Sequence, residues 1–295
     1  MTAYIIDKAL LRSDNKEKSL LIQDNVIREI KDSLARFPYI RMDVAGFRME
    51  AAHVMLDLSI PIDAGVQVMK DYFIKHFLNS GCSTLITAFS IQYEFQCKSE
   101  FKKMEQALLM SPIDYVIGIK IPIEKLSLNL IRFCNRNKLP IIFVCMKDDS
   151  HLSQLPWGWI REAMFPYQPI LSPVIDSMLS EEEKSLLIKK WQKIMQVEKI
   201  PHLSNELPEH QPLEDSHLKK IGLYPKRGKL HVGGEVSYNL YQTNRKVEDQ
   251  NNFFYDKKRL AIMVHKGELI KVNQHICFKE GFGEKLLIKR PSLFV

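Results

Sequence analysis

The hydrophobic period of this chain changes twice, and that change limits its folds more than any single motif. Residues 1–47 and the stretch after residue 218 consist of short apolar runs bounded by turn residues, the signature of strands. From residue 54 to about residue 145, strand-length apolar runs alternate with stretches whose apolar residues fall at helical spacing. Strands alternating with helices predict parallel βαβ units, covered on both faces. The β segments at the two ends find few partners near them in sequence, and a lone hairpin is marginal in water. Joined, they make one β-domain. The expected architecture is a β-domain of residues 1–50 and 218–295 with an α/β domain, residues 51–217, inserted into it.

Particular runs carry that reading. Tyr4-Ile-Ile and Ala9-Leu-Leu precede a polar turn, Ser13-Asp-Asn-Lys-Glu-Lys18. Leu20-Leu-Ile and Val26-Ile-Arg-Glu-Ile30 flank Gln23-Asp-Asn25, a hairpin signal, and Asp43-Val-Ala-Gly46 is a further turn. In the middle, Val54–Ile60, Thr84–Ile91, Tyr115–Ile121 and Pro140–Cys145 read as strands. Helical stripes follow the first three: Val66, Met69, Phe73 and Phe77; then Phe101, Met104, Ala107 and Leu108; then Leu126, Leu130 and Phe133. Beyond residue 150 the rhythm fades. Trp157–Phe165 reads as a short helix, and Ser180-Glu-Glu-Glu183 is a capping box opening a helix with Leu187 and Trp191 on one face. Residues 200–217 form a polar, proline-studded connector. Strands return at Lys229–Val232, Tyr238–Tyr241, Leu260–Val264, Leu269–Val272 and Leu286–Lys289.

Composition excludes several classes. No apolar run approaches the roughly 20 residues of a membrane span, and no secretory signal is visible at the N-terminus. Cys82, Cys97, Cys134, Cys145 and Cys277 are scattered without a Cys-x-x-Cys pair, as expected of reduced thiols in a cytoplasmic protein. Residues 219–295 carry 16 Lys/Arg against 7 Asp/Glu, but singly and without interleaved aromatics. Lysines guarding strand edges explain that distribution better than a nucleic-acid surface does.

The run Lys220-Ile-Gly-Leu-Tyr-Pro-Lys-Arg-Gly-Lys-Leu-His-Val-Gly233 resembles the stretch by which amidohydrolases of the dihydroorotase type re-enter their small β-domain, and Leu20–Ile30 resembles its opening hairpin. The resemblance covers about residues 1–150 and 216–295. It implies an incomplete or remodelled TIM-like (β/α) barrel inserted into a small β-sandwich formed by both termini. Family members read Asp-x-x-Gly and then Pro-Gly-x-x-Asp-x-His-x-His. Here Asp43-Val-Ala-Gly46 and Asp57 keep two anchors, while Ser59 and Pro61 stand in place of the two metal-binding histidines. Serine is a poor zinc ligand and proline has no donor atom, so neither a metal nor another cofactor is expected. Ser80-Gly-Cys-Ser-Thr84 resembles the family's Gly-x-Thr-Thr, which turns a helix into a strand. Gly118-Ile-Lys-Ile121 resembles the strand whose lysine becomes carboxylated between two metals. Lys120 is then either a surface lysine or a half-buried cation needing an acidic partner, for which Asp57 is the candidate. The next strand ends in Val144-Cys-Met-Lys-Asp-Asp149 without the family's histidine, leaving Lys147 beside Ser59 and Pro61 as a ligand-pocket candidate.

Other residues nominate no chemistry firmly. His53, just before Asp57, is either a pocket residue or a packed histidine. His76 lies beside Phe73 and Phe77 and reads as core-edge packing. His202, His210 and His217 stand near Glu206, Glu209 and Asp215, a set that could bind a metal, but the composition of a polar loop alone explains them. There is no Gly-x-Gly-x-x-Gly, Walker loop or Gly-x-Ser-x-Gly elbow. Val54–Ser216 is 163 residues, short for a (β/α)₈ barrel of about 250.

Two functions are open: a pseudoenzyme that binds a small molecule or protein in regulation or assembly, favoured by the missing histidines, or a divergent hydrolase of carbon–nitrogen bonds. A truncated sheet with an open edge also predicts a symmetric homodimer. If both ends build one β-domain, a chain truncated at Lys219 exposes apolar strand edges. It should accumulate as insoluble protein; a soluble fragment with a cooperative melt would contradict the joined β-domain.

Overall fold

The computed structural model describes residues 3–12, 15–243 and 259–292. The chain opens with β1 (Ala3–Leu11), β2 (Lys16–Gln23), β3 (Val26–Lys31), β4 (Ile40–Asp43) and β5 (Phe47–Ala51). Strands and helices then alternate through β6 (His53–Leu56), α1 (Val66–His76), β7 (Cys82–Ser90), α2 (Cys97–Leu108), β8 (Asp114–Pro122), α3 (Leu128–Asn137), β9 (Ile141–Met146), α4 (Trp157–Met164), β10 (Ile170–Ile175) and α5 (Glu181–Val197). After α6 (Asp215–Ile221) come β11 (Tyr238–Gln242), β12 (Leu260–His265), β13 (Glu268–Val272) and β14 (His275–Ile276). Contacts divide the chain into two units: Met1–Val54 with Gly65–Thr84 and Pro225–Glu280, and Met55–Ala64 with Leu85–Tyr224 and Gly281–Val295. The first unit thus includes α1, which the sequence pattern groups with the α/β part.

The first unit is built on a nine-stranded sheet of order β14-β13-β12-β11-β5-β1-β2-β3, with β4 also on β1. The two ends meet where β11 runs antiparallel to β5, Leu240 opposite Met49. One core draws Ile6, Leu20, Ile22 and Met49 from the N-terminal strands and Val236, Tyr238, Leu240 and Val264 from the C-terminal ones. The hairpin at Asp24-Asn25 has both residues at positive φ, 52° and 58°, the backbone a two-residue type I′ turn requires. Tyr4–Ile6 and Ala9–Leu11 are one strand, interrupted by a bulge at which Lys8 turns to φ 54°. Ser13 and Asp14 of the expected polar turn lie outside the described residues. Lys229–Val232 is not a strand. Left-handed glycines on either side of it, Gly228 and Gly233, turn the chain, and Ile27 of β3 then bonds to Gly233 and Gly234. Leu286–Lys289 is irregular too, fastened to Tyr115 by one backbone bond from Leu286.

The second unit is built on a parallel sheet of order β10-β9-β8-β7-β6. Its strands are buried almost throughout, as expected when both faces are covered. The capping box at α5 forms as the sequence predicts: the Ser180 hydroxyl accepts from the Glu183 amide while Glu183 reaches back to the Ser180 amide. β10 has no counterpart in the sequence reading. Pro169 and Pro173 break its pattern, because each removes a ladder donor.

The connector does what its composition does not suggest. Leu171 of β10 donates to Pro201 and accepts from Leu203. On the opposite edge, β6 bridges the same connector at Met55–Pro212 and Leu56–Glu209. Were the sheet flat, these two attachment points would be about 29 Å apart, six spacings of about 4.8 Å. The six residue steps from Leu203 to Glu209 reach about 22 Å at full extension. The sheet must therefore curl, and one short segment meets both of its edges. The open edge behind the expected dimer is filled by the chain itself, so self-association needs another surface.

Trp191 holds this closure in place. Its ring is fully buried and its indole N–H donates to the Leu203 carbonyl at 2.9 Å, fixing the connector against α5. Trp191→Ala removes that bond and a large buried ring, and should lower unfolding free energy in urea by about 3–5 kcal/mol. A loss under about 1 kcal/mol would mean the connector is held by its sheet pairings alone.

Candidate functional site

In a parallel α/β sheet the ligand face lies beyond the carboxyl ends of the strands. Asp57 follows the last residue of β6 and is fully buried. Its amide donates to Ile86 of β7 at 2.9 Å, continuing the sheet ladder, and its Oδ1 accepts from the Ser59 amide at 2.7 Å. The connector brings two more groups here. His210 donates its amide to Leu56 at 3.0 Å, and its Nε2 lies 3.7 Å from Asp57 Oδ2. Glu209 Oε2 accepts from the Leu58 amide at 3.2 Å. One donor atom from each of Asp57, Glu209 and His210 lies within 4.8 Å of the others. Ser59 is exposed and Pro61 half-buried in the loop that follows.

Lys120 sits near the end of β8, half-buried, in register with Phe143 of β9, which is in turn in register with Ser172 of β10. Register neighbours in a parallel sheet share a face, so these three form one row. Ser172 is fully buried, and its hydroxyl has no hydrogen-bond partner among the described residues. Lys120 makes no ion pair among the described residues, with Asp57 or otherwise. Its charge is felt by Cys145 on β9, but burial dominates there and pushes that thiol up, with Glu124 and Glu206 adding to the shift. Cys145 is therefore not an activated nucleophile. Lys147 is exposed in the loop after β9.

The structure takes His53 out of the site. It opens β6, is buried in the first unit, and its Nε2 lies 2.6 Å from the Tyr241 hydroxyl. Burial, helped by the charge of Arg12, lowers its pKa to about 3. His76 stacks on Tyr72 on α1, as packing predicts. Sequence reasoning names His210 among the connector histidines but does not join it to Asp57. The only local signal of His210 is an acidic neighbour in a proline-rich loop. The pairing that carries it to Asp57 spans about 150 residues and leaves no periodicity to read.

The chain has a mixed α/β fold, with a curled parallel sheet and a large sheet contributed by both ends of the chain. Among solved structures it is similar to a D-hydantoinase at 13% identity and TM-score 0.71, the match covering 99% of each chain. It is similar to a dihydropyrimidinase from Brevibacillus agri NCHU1002 at 10% identity and TM-score 0.68, again over 99% of each. An adenosine deaminase from Xanthomonas campestris with bound zinc matches at 8% identity and TM-score 0.60, over 94% of each chain. At these identities the likeness is one of fold. No family model and no curated protein matches the sequence.

The deaminase among these neighbours holds zinc, and the donors present in this chain decide how far a metal fits here. Ser59 and Pro61 do not rebuild a histidine pair. Asp57, Glu209 and His210, two carboxylates and an imidazole, are donors suited to one divalent ion.

The buried His53 sets a pH dependence. Its pKa of about 3 lies below the unfolded value of about 6.5, so below pH 6.5 the unfolded chain binds a proton that the folded chain refuses. Its contribution is complete above about pH 6.5 and falls by up to about 1.4 kcal/mol per pH unit toward about pH 3. The melting temperature of the native chain should therefore drop more between pH 7 and pH 5 than that of His53→Gln. Parallel curves would show that His53 does not couple folding to protons.

Proposed function

We propose that this is an amidohydrolase-fold binding protein that holds a small ligand bearing a carboxylate at the strand ends of its barrel, without hydrolysing it. Lys120 carries the reading. A half-buried ammonium with no ion pair among the described residues is costly to desolvate, and a ligand carboxylate offsets that cost. The buried Ser172 hydroxyl in the same row offers a second hydrogen bond. Ser59 and Pro61 in the histidine positions, and a Cys145 thiol raised by burial, supply neither a metal pair nor a nucleophile. A non-catalytic binder of this kind suits regulation or assembly with a protein partner. We propose a symmetric homodimer as its working form, with exposed Tyr39, Ile40 and Met42 at the β4 edge as the apolar surface available for it.

The second reading, a hydrolase of carbon–nitrogen bonds, is favoured by the Asp57–Glu209–His210 cluster and by zinc in the deaminase neighbour. Those three side chains would hold the ion, which supplies Lewis-acid polarisation and a water of lowered pKa. Asp57, anchored through the Ser59 amide, would keep its place beside it.

Hydantoin and dihydropyrimidine ring opening, assayed with and without added zinc or manganese, should stay at the buffer rate. A panel of small carboxylates should contain at least one that raises the melting temperature of the native chain and binds Lys120→Met at least tenfold more weakly. Turnover that survives Lys120→Met and is lost in His210→Ala would establish the hydrolase instead. A panel with no binder would remove the carboxylate site.

A further inference from the structure

The connector pairs with both edges of the parallel sheet, and where it joins β6 three metal-donor side chains converge. We propose that Asp57, Glu209 and His210 bind a single divalent cation that fastens the connector to the first strand of the barrel, a role in closure that does not depend on catalysis.

Each donor is already positioned by the backbone. Asp57 Oδ1 accepts from the Ser59 amide, Glu209 Oε2 from the Leu58 amide, and the His210 amide bonds to Leu56. His210 adopts a left-handed backbone, φ 54°, at the point where the connector leaves β6. With zinc-to-ligand distances of about 2.0–2.2 Å, tetrahedral donors stand about 3.4 Å apart. The 3.7 Å between His210 Nε2 and Asp57 Oδ2 is close to that, and the 4.8 Å limit on the group asks any donor pair to close by about 1.4 Å at most. The burial is graded: Asp57 is inaccessible, His210 about one third exposed and Glu209 exposed. An ion can therefore enter from the solvent side and be held against the buried carboxylate. The charges fit as well, since two carboxylates and a neutral imidazole balance a divalent cation. Asp57 belongs to the sheet and the other two donors to the connector, so the ion would bridge two chain segments that otherwise meet through few backbone bonds. A ligand that binds only the folded chain stabilises it by mass action.

The full chain, freed of metal by chelation and gel filtration, is titrated with zinc and separately with manganese. Calorimetry follows binding, electron paramagnetic resonance follows free manganese, and hydrogen exchange follows residues 201–212. Saturable one-to-one binding is expected for at least one ion, with a higher melting temperature and slower exchange in that segment. Glu209→Gln keeps the bond to the Leu58 amide and His210→Ala truncates a partly exposed ring, so both should fold. Each should weaken binding at least tenfold and lose the exchange protection, whereas His217→Ala, elsewhere in the connector, should bind as the native chain does. Absence of saturable binding overturns the site. Equal affinity in Glu209→Gln and His210→Ala marks an adventitious ion bound elsewhere and overturns it too. One-to-one binding that leaves exchange of 201–212 unchanged overturns the fastening role. Lys120→Met should bind the ion normally, which separates this site from the carboxylate site proposed above.

Discussion

The backbone pairing between the connector and the two edges of the parallel sheet is the constraint on which the second unit depends. A five-stranded parallel sheet with both faces apolar has two edges whose N–H and C=O groups must be satisfied. A longer barrel satisfies them with further strand–helix units. Here Pro201 and Leu203 on one side, and Glu209, His210 and Pro212 on the other, do it within about a dozen residues. The polar, proline-rich composition suits this use. A segment that pairs through a few backbone groups and then turns away needs no apolar alternation, and its prolines fall where no further ladder donor is wanted. Trp191 supplies the buried anchor that the segment lacks in its own sequence.

That economy shapes the site. In the family the chain resembles, strand ends around the barrel contribute imidazoles. Among the described residues, the ends of this parallel sheet carry Asp57, Lys120 and Cys145. The donors that join Asp57 come from the closing segment, so closure of the sheet and assembly of the cluster are one event. Lys120 lies in a row with Phe143 and Ser172 on the same sheet. The two groups of residues suit different chemistry: a cation beside Asp57, an anion beside Lys120.

Short-range signals were legible in proportion to how far they are local. The Asp24-Asn25 turn, the Ser180–Glu183 capping box and the helices carrying Phe73, Phe101 and Leu130 follow from propensity and period, which act over a few residues. Misread segments have equally local causes. Pro169 and Pro173 hide β10, and left-handed glycines bend Lys229–Val232 out of strand geometry. His53 shows the limit in the other direction. Its place beside Asp57 in sequence suggested a pocket, but strand geometry carries it to the opposite end of β6 and into contact with Tyr241, a partner 188 residues away.

By itself the sequence determined that strands at the two ends must complete one another, that the middle is α/β, and that Ser59 and Pro61, neither an imidazole, follow Asp57. These follow from side-chain chemistry and spacing along the chain. Only the tertiary structure decided that residues 200–217 are a closing element, that His210 and Glu209 meet Asp57, and that Lys120 stands without an ion pair among the described residues. Pairings of that kind join residues far apart in the chain through backbone hydrogen bonds, and backbone groups are the same in every residue but proline. No pattern of side chains along the sequence can therefore record which strand edge a polar loop will meet.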